Sequence, residues 1–300
     1  MAAADKLDPM AYARIAERIR TVTAGWAKGA KLPQIRAEFD ELLTGPVPAP
    51  IENAHLAGLP AITARPSHSR TDGHILFLHG GGFQIGSLVS HRSLVSRLAE
   101  ATRLPVTAIA YRLAPEHRFP AAIEDCVAAY RALSEATPAG IVIAGDSAGG
   151  HLALDLAVKA RDTSLPRPAG LVLISPWLDL ALRGESYVTR ADADIFSKVP
   201  QLKAMARTYL GRDIDPASAS LLDAPLTGLP PIHIEAGDAD ITRDDAVTLQ
   251  ARATAAGVAC TLRVWPGMFH HFQVFADLPE ATRSIAGIAA AVESMLPPSR

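Results

Sequence analysis

Cysteine and long hydrophobic runs are scarce in this chain. Only two cysteines, Cys126 and Cys260, occur in 300 residues, which excludes a disulfide framework. The most apolar late segment, residues 285–292, is well short of the roughly 20 residues that cross a bilayer. The N-terminus has no apolar stretch typical of a secretion signal. We therefore expect a cytoplasmic protein without stable membrane anchoring.

An excess of charge of one sign is also lacking. The chain has 29 Lys and Arg against 31 Asp and Glu, and its formal net charge is −2. No segment concentrates basic residues, so we expect no nucleic-acid partner. The His-Glu-x-x-His and paired-cysteine patterns of metal sites are absent, as is the Gly-Lys-Ser/Thr of a P-loop. We therefore expect neither a metal nor a cofactor.

Short apolar runs alternate with helical patterns along most of the chain. This alternation predicts an α/β protein whose mostly parallel sheet is covered by helices on both faces. Residues 44–60, rich in Pro and Gly, are predicted to be a loop. The predicted strands are residues 61–65, 75–79, 106–111, 141–145, 171–175, 232–236 and 260–265. The first predicted helix begins after Asp8. The later ones cover residues 33–43, 90–102, 120–134, 148–160, 243–256 and 279–296.

One long stretch, residues 179–228, interrupts this alternation because it contains no strong strand pattern. We interpret it, together with the first helices, as a cap; a surface excursion without function is the alternative. The predicted organisation has four parts. They are N-terminal cap helices over 1–50, a first core part over 51–178, a cap insertion over 179–228 and a second core part over 229–300.

The strongest chemical signal is "IVIAGDSAGG", residues 141–150. An apolar, β-branched run leads into Gly-x-Ser-x-Gly, and a helical pattern follows, as a nucleophile elbow requires. Ser147 is then the predicted nucleophile, and Ala148 offers its backbone N–H at the start of the helix. An ordinary glycine-rich turn between strand and helix is the alternative.

A serine hydroxyl needs a histidine as base, and the histidine needs an acid to fix its tautomer. His270 and His271 follow the last predicted strand in a Gly/Pro loop, where a catalytic loop belongs. Spacing alone does not choose between these two neighbours. The segment after the preceding strand offers four candidate acids: Asp238, Asp240, Asp244 and Asp245.

Three consecutive glycines follow an apolar strand in "HILFLHGGGF", residues 74–83. Acyl transfer requires preorganised N–H groups for an oxyanion, and a glycine-rich loop after an early strand supplies them in this type of enzyme. The dinucleotide alternative fails because Ile85 stands where Gly-x-Gly-x-x-Gly needs its last glycine.

The chain resembles the hormone-sensitive-lipase family of bacterial α/β-hydrolases, a family of carboxylesterases and lipases. The resemblance rests on "HGGGF", "YRLAPEHRFPAAIEDC", "GDSAGG", "GDADITRDD" and "HHF", which occur in the family's order. It implies an α/β-hydrolase fold with a helical cap. It also implies that Asp240 is the catalytic acid and His270 the base, with His271 in place of a glycine. The implied oxyanion donors are the N–H groups of Gly81, Gly82 and Ala148.

Taken together, the motifs predict a serine carboxylesterase that hydrolyses small neutral esters of short to medium acyl chain through an acyl-enzyme. A lactone hydrolase or small-molecule deacetylase on the same triad is the alternative, and a non-catalytic receptor of the same fold is less favoured. The expected partner is a small-molecule ester, and the oligomeric state stays open, with a homodimer as one option. Four apolar residues are candidates to line the substrate pocket: Phe83, Phe196, Met205 and Phe269.

Overall fold

The central feature of the computed structural model, which describes residues 8–137 and 139–296, is an eight-stranded sheet in the order β1-β2-β4-β3-β5-β6-β7-β8. Strand β2 pairs antiparallel with β1 and β4, and all other neighbours are parallel. The strands are β1 Ile51–Leu56, β2 Leu59–Ala64, β3 Gly73–Leu78, β4 Val106–Ile109, β5 Gly140–Asp146, β6 Gly170–Ile174, β7 Ile232–Gly237 and β8 Cys260–Trp265.

Helices connect and cover these strands as the sequence predicted. Helix α1 begins after Asp8, whose side chain accepts hydrogen bonds from the N–H groups of Met10 and Ala11. The helices are α1 Pro9–Ala27, α2 Leu32–Leu42, α3 Arg92–Thr102, α4 Ala121–Ala136, α5 Ala148–Asp162, α6 Ser186–Thr189, α7 Val199–Leu210, α8 Arg243–Ala255 and α9 Pro279–Met295. This is the architecture of an α/β-hydrolase fold, and the predicted fold class is confirmed.

The central strands are buried on both faces. Along β3, Leu76 and Leu78 pack into the apolar cluster on the side of α4, α5 and α8. Their neighbours Ile75 and Phe77 pack into a second cluster, on the side of α3 and α9. This alternation explains why the strand reads as a continuous apolar run, as expected for a parallel sheet covered on both sides.

The predicted loop over residues 44–60 is wrong in its second half. Residues 51–56 form β1, which makes a hairpin with β2 at the edge of the sheet. Its turn residues Ala57 and Gly58 have φ values of 52° and 80°, as a two-residue hairpin turn requires. Strand β1 is partly exposed along its length, so it lacks the apolar run that marks the inner strands.

Residues 179–228 lie between β6 and β7, and the structure describes no strand in them. They contain α6, α7 and two short 3₁₀ helices, Pro216–Ala219 and Leu221–Asp223. Helix α7 reaches the glycine loop, because a Cβ at Gly82 would lie 2.2 Å from the Met205 Sδ. Helix α2 is tied to the same region by Arg36, whose guanidinium binds the Gln84 carbonyl at 2.8 Å and Glu116 at 2.8 Å.

No helix among the described residues is long and apolar enough to cross a membrane.

Candidate active site

Ser147 lies in a sharp turn between β5 and α5, with φ 52° and ψ −118°. Positive φ is rare for a serine, and it turns the side chain out of the strand direction. The flanking glycines leave no room for a side chain. A Cβ at Gly145 would lie 2.3 Å from the Gly149 carbonyl oxygen, and one at Gly149 would lie 1.9 Å from that of Leu78. The predicted elbow geometry is therefore present.

A histidine and an aspartate from two later loops reach Ser147. His270, after β8, places Nε2 at 2.7 Å from the Ser147 Oγ. Its Nδ1 lies 3.0 Å from Oδ1 of Asp240, which follows β7. All three side chains are buried. A hydroxyl, an imidazole and a carboxylate in this order can move a proton from the serine oxygen to the ring.

Thr242, which the sequence did not single out, holds the carboxylate in place. Its N–H and its hydroxyl both donate to Oδ1 of Asp240, at 2.7 and 2.9 Å. The same hydroxyl lies 3.3 Å from Nδ1 of His270. These contacts fix the acid relative to the ring.

The electrostatics of the pair favour a positively charged imidazole. Burial alone would raise the pKa of Asp240, but the charge and hydrogen bond of His270 and the N–H of Thr242 lower it. Burial alone would lower the pKa of His270, but the charge and hydrogen bond of Asp240 outweigh burial and raise it. The carboxylate thus supports proton uptake by His270.

Unpaired backbone N–H groups occur in the glycine loop and at the start of α5. Among the described residues, the N–H groups of Gly81, Gly82 and Ala148 have no hydrogen-bond partner. Gly81 has φ 114°, and a Cβ there would lie 2.2 Å from the Ile85 carbonyl oxygen, so only glycine fits. Gly81 and Gly82 line the same cavity as Ser147.

His79 holds this loop in place through contacts with Gly80 and Tyr111. Its Nδ1 lies 2.8 Å from the Gly80 carbonyl oxygen, and its ring stacks on Tyr111 with a centroid separation of 4.3 Å. The Tyr111 hydroxyl donates to the His79 carbonyl at 2.6 Å. Burial, reinforced by the charge of His91, lowers the pKa of His79 to about 4, so its ring is neutral at neutral pH.

The carboxylate of Asp146, directly before Ser147, joins three separate loops. Its Oδ1 accepts a hydrogen bond from the Gly80 N–H at 2.8 Å, and its Oδ2 lies 2.9 Å from Nδ1 of His271 and 3.2 Å from Nε2 of His91. Burial alone would raise the pKa of Asp146, but the two histidines hold it well below its usual range. The buried carboxylate therefore stays ionised.

The two adjacent histidines have different partners. Where His270 contacts Ser147, His271 turns away with φ 39° and ψ 39° and binds Asp146. Burial lowers the pKa of His271 to about 4, so its neutral ring donates through Nδ1 to the carboxylate. A left-handed φ at this position is also the reason that a glycine would fit it well.

Two clusters bring three potential metal-binding atoms within 4.8 Å of one another. One contains His91, Asp146 and His271, and the other contains Asp194, Asp240 and His270. In both clusters the ring nitrogens that face a carboxylate lie at hydrogen-bond distance from it. Hydrogen bonding between the side chains thus accounts for the first cluster and for the Asp240–His270 pair of the second, whereas Asp194 is bound by backbone N–H groups.

A small cavity of about 30 Å³ adjoins Ser147 and His270. An apolar groove of about 670 Å³ between α1, α2 and α7 adjoins it. The walls that the two share are Trp26, Ile85, Phe196, Gln201 and Met205. The sequence pointed to Phe196 and Met205 but missed Trp26 and Gln201, which lie on helices with no catalytic motif.

Two predicted lining residues lie elsewhere. Phe83 is fully buried and stacks on Tyr209, with ring centroids 3.8 Å apart. Phe269 is fully buried between Tyr12 and Phe275, 5.7 Å from each ring centroid. Neither lines the cavity or the groove, because each ring packs into an apolar core cluster instead.

Fold and site together define the class of this protein as a serine hydrolase of the α/β-hydrolase fold, and residues 75–274 match the model of that fold family. An acetyl-hydrolase from Streptomyces hygroscopicus is 44% identical over 222 residues, or 72% of this chain and 74% of that protein. An esterase from Acinetobacter venetianus is 38% identical over 221 residues, or 72% and 73% of the two chains.

Solved structures also resemble this chain along most of its length. The crystal structure of an esterase from the bacterial hormone-sensitive lipase family has a TM-score of 0.91 and 37% identity, over 98% of this chain and 99% of that chain. The crystal structure of EstE5 soaked with p-nitrophenyl butyrate has a TM-score of 0.83 and 36% identity, over 93% of this chain and 98% of that chain. The chain belongs to the bacterial hormone-sensitive lipase family, and it is a carboxylic ester hydrolase of the serine carboxylesterase type.

Replacing Asp146 by asparagine tests the hydrogen bonds that connect the loops through this carboxylate. We expect Asp146→Asn to lower the free energy of unfolding by about 3 kcal/mol, because the amide cannot accept from Gly80, His91 and His271 together. Urea unfolding followed by circular dichroism measures this. The control is Asp213→Asn at an exposed aspartate, which should leave stability unchanged. Equal stabilities of the two variants would contradict the role given to Asp146.

Proposed function

We propose that Ser147, His270 and Asp240 are the catalytic triad of this esterase. The observation that carries the proposal is the 2.7 Å contact between the His270 Nε2 and the Ser147 Oγ at an elbow-like turn. As Oγ bonds to the ester carbonyl carbon, its proton passes to Nε2. The carbon–oxygen bond to the alcohol then breaks, and the leaving oxygen takes that proton. Water then attacks the acyl-enzyme, giving its proton to His270, and the acid is released as Ser147 regains a proton.

The N–H groups of Gly81, Gly82 and Ala148 are proposed as the oxyanion hole. Their lack of partners among the described residues supports this, because an unpaired buried N–H is costly unless a ligand or water meets it. Donors fixed before the reaction stabilise the negative charge of the tetrahedral intermediate without reorganisation.

The N-terminal helices over residues 1–50 and the insertion over 179–228 are proposed to form one cap over the catalytic core. Support comes from the walls of the cavity. Trp26 and Phe39 come from α1 and α2, and Phe196 and Met205 from the insertion. Walls from both segments that the sequence set apart support this proposal, and residues 51–178 and 229–300 are proposed as the core; residues 1–7, 138 and 297–300 of these ranges lie outside the described residues.

The substrate is proposed to be a small neutral ester with a short to medium acyl chain. The cavity beside Ser147 admits a short group, and the larger apolar part of the ester extends into the groove between α1, α2 and α7. One similar protein is an acetyl-hydrolase, and EstE5 was soaked with a butyrate ester. A lactone or a small acetylated molecule could use the same triad.

A receptor without catalysis is not favoured by the geometry, since both contacts of His270 are intact. A cytoplasmic location, the absence of membrane anchoring and a homodimer stay predictions.

The triad is tested by single substitutions. We expect Ser147→Ala and His270→Ala to lower kcat for p-nitrophenyl butyrate by about 10⁴-fold or more, because each removes a member of the proton path. His271→Ala is the comparison: it removes the neighbouring imidazole, which contacts Asp146 but lies off the proton path, so kcat should fall far less than in His270→Ala. Substantial activity in Ser147→Ala, or exchanged effects of the two histidine variants, would contradict the assignment.

Met205 is expected to limit the acyl chain because its sulfur packs over Gly82, between the cavity and the groove. Met205→Ala should raise kcat/KM for an octanoate relative to an acetate ester by about tenfold, since extra methylenes then find apolar space. A series of p-nitrophenyl esters measures this ratio. Met10→Ala, at a methionine that is 72% exposed on α1, is the control. An unchanged ratio in Met205→Ala would remove Met205 from the pocket.

A further inference from the structure

A second buried carboxylate lies beside the Asp240–His270 pair. It belongs to Asp194, between α6 and α7 in the insertion, and its side chain is 0% exposed. Asp194, Asp240 and His270 each place one polar atom within 4.8 Å of the others. No motif in the sequence pointed to Asp194, and the triad described above does not use it.

The hydrogen bonds of Asp194 connect the insertion to the loop of the catalytic acid. Its Oδ1 accepts from the N–H groups of Phe196 and Ser197, at 2.8 and 3.1 Å. Its Oδ2 accepts from the N–H of Ile241 at 3.1 Å. Phe196 and Ser197 line the cavity at Ser147, and Ile241 directly follows Asp240. One side chain therefore sets the position of a pocket wall relative to the acid.

Both oxygens of Asp194 act as acceptors, which distinguishes it from a simple turn residue. An asparagine could accept the two bonds at Oδ1, but its amide nitrogen cannot accept from Ile241. Placing a second carboxylate near Asp240 is unfavourable, and burial together with the charge of Asp240 raises the pKa of Asp194 to about 6. The repulsion between the two carboxylates is offset when His270, close to both, becomes positively charged.

The charged and titratable groups around this position are few. Asp240 and His270 face Asp194 from the acid and histidine loops, and Tyr12 faces it from α1, its pKa raised by burial and by Asp194. The ammonium of Lys198, at the start of α7, binds the backbone carbonyl of Asp194 at 2.6 Å. On the far side of His270, Asp146 adds a further negative charge.

We propose that Asp194 is a positioning residue for ester hydrolysis: it fixes the cavity wall to the acid loop and adds a second negative charge that stabilises protonated His270. This proposal rests on the triad proposed above. It gives the insertion a part in the chemistry, since a residue of the cap region acts on the base through space and through the position of Asp240.

The test compares Asp194→Asn with Asp192→Asn, a matched loss of one carboxylate at an exposed position two residues away. The pH profile of kcat/KM and the separate kcat and KM for p-nitrophenyl butyrate are measured on the full chain. We expect the acidic limb of Asp194→Asn to move to lower pH, because His270 loses a charge that favours its protonated form. We also expect kcat to fall by about tenfold with little change in KM. Asp192→Asn should match the unsubstituted chain.

Two further variants separate charge from folding. Asp194→Glu keeps the charge and should keep the acidic limb in place while kcat falls. If Asp194→Asn does not fold, Asp194→Ser is measured instead, because its hydroxyl can still accept from the nearby N–H groups. In Asp194→Ser, too, the acidic limb of the kcat/KM profile should shift to lower pH.

An acidic limb that stays in place in every folded variant without the Asp194 charge would overturn the inference. That result leaves the triad untouched, because Ser147→Ala would still be inactive. Full activity of Ser147→Ala would instead refute the proposed function itself, whatever the Asp194 variants do.

Discussion

The ionised carboxylate of Asp146 is the contact on which the arrangement of this site depends. It directly precedes Ser147, accepts from the Gly80 N–H in the glycine loop, and accepts from His271 in the loop that carries His270. These loops follow three different strands, β5, β3 and β8. In a dry interior such charge-assisted bonds are strong, and an unmet carboxylate there would be costly. One buried charge thus fixes the proposed nucleophile, oxyanion donors and base relative to one another.

Two neighbouring histidines acquire opposite properties from their surroundings. Both are buried, yet the pKa of His270 is raised and that of His271 is lowered to about 4. The difference arises because His270 gains more from Asp240 than burial costs, whereas burial dominates for His271. One imidazole is therefore suited to take up a proton, while the other remains a neutral donor that braces the site.

Local sequence patterns predicted the parts of the fold and site that depend on local structure. The inner strands, the elbow at Ser147 and the glycine loop each have a short signature, because burial on both faces or a lack of space for a Cβ restricts the residue types. Strand β1 lacked such a signature, since an edge hairpin buries little. Spacing left both His270 and His271 as possible partners of Ser147, and only the family resemblance favoured His270.

The pocket was the least predictable part. Trp26 lies more than a hundred residues before Ser147 in the chain, and no local pattern says that α1 covers the site. Phe83 and Phe269 adjoin the motifs but are buried in the core, where the motifs themselves give no signal of their direction. Asp194 acts through a hydrogen bond to Ile241, 47 residues away, which the order of residues does not encode locally. Thr242 binds Asp240 in its own loop, but its contact with His270 likewise joins two loops.

Covalent labelling is the most direct measurement of the central claim, that Ser147 attacks the ester as an activated nucleophile. The chain is treated with diethyl p-nitrophenyl phosphate, and peptide mass spectrometry locates the modification. The account predicts one phosphoryl group per chain, on Ser147, with loss of esterase activity in proportion to labelling. Loss of activity with the label on another residue, or full activity with Ser147 completely labelled, would contradict it.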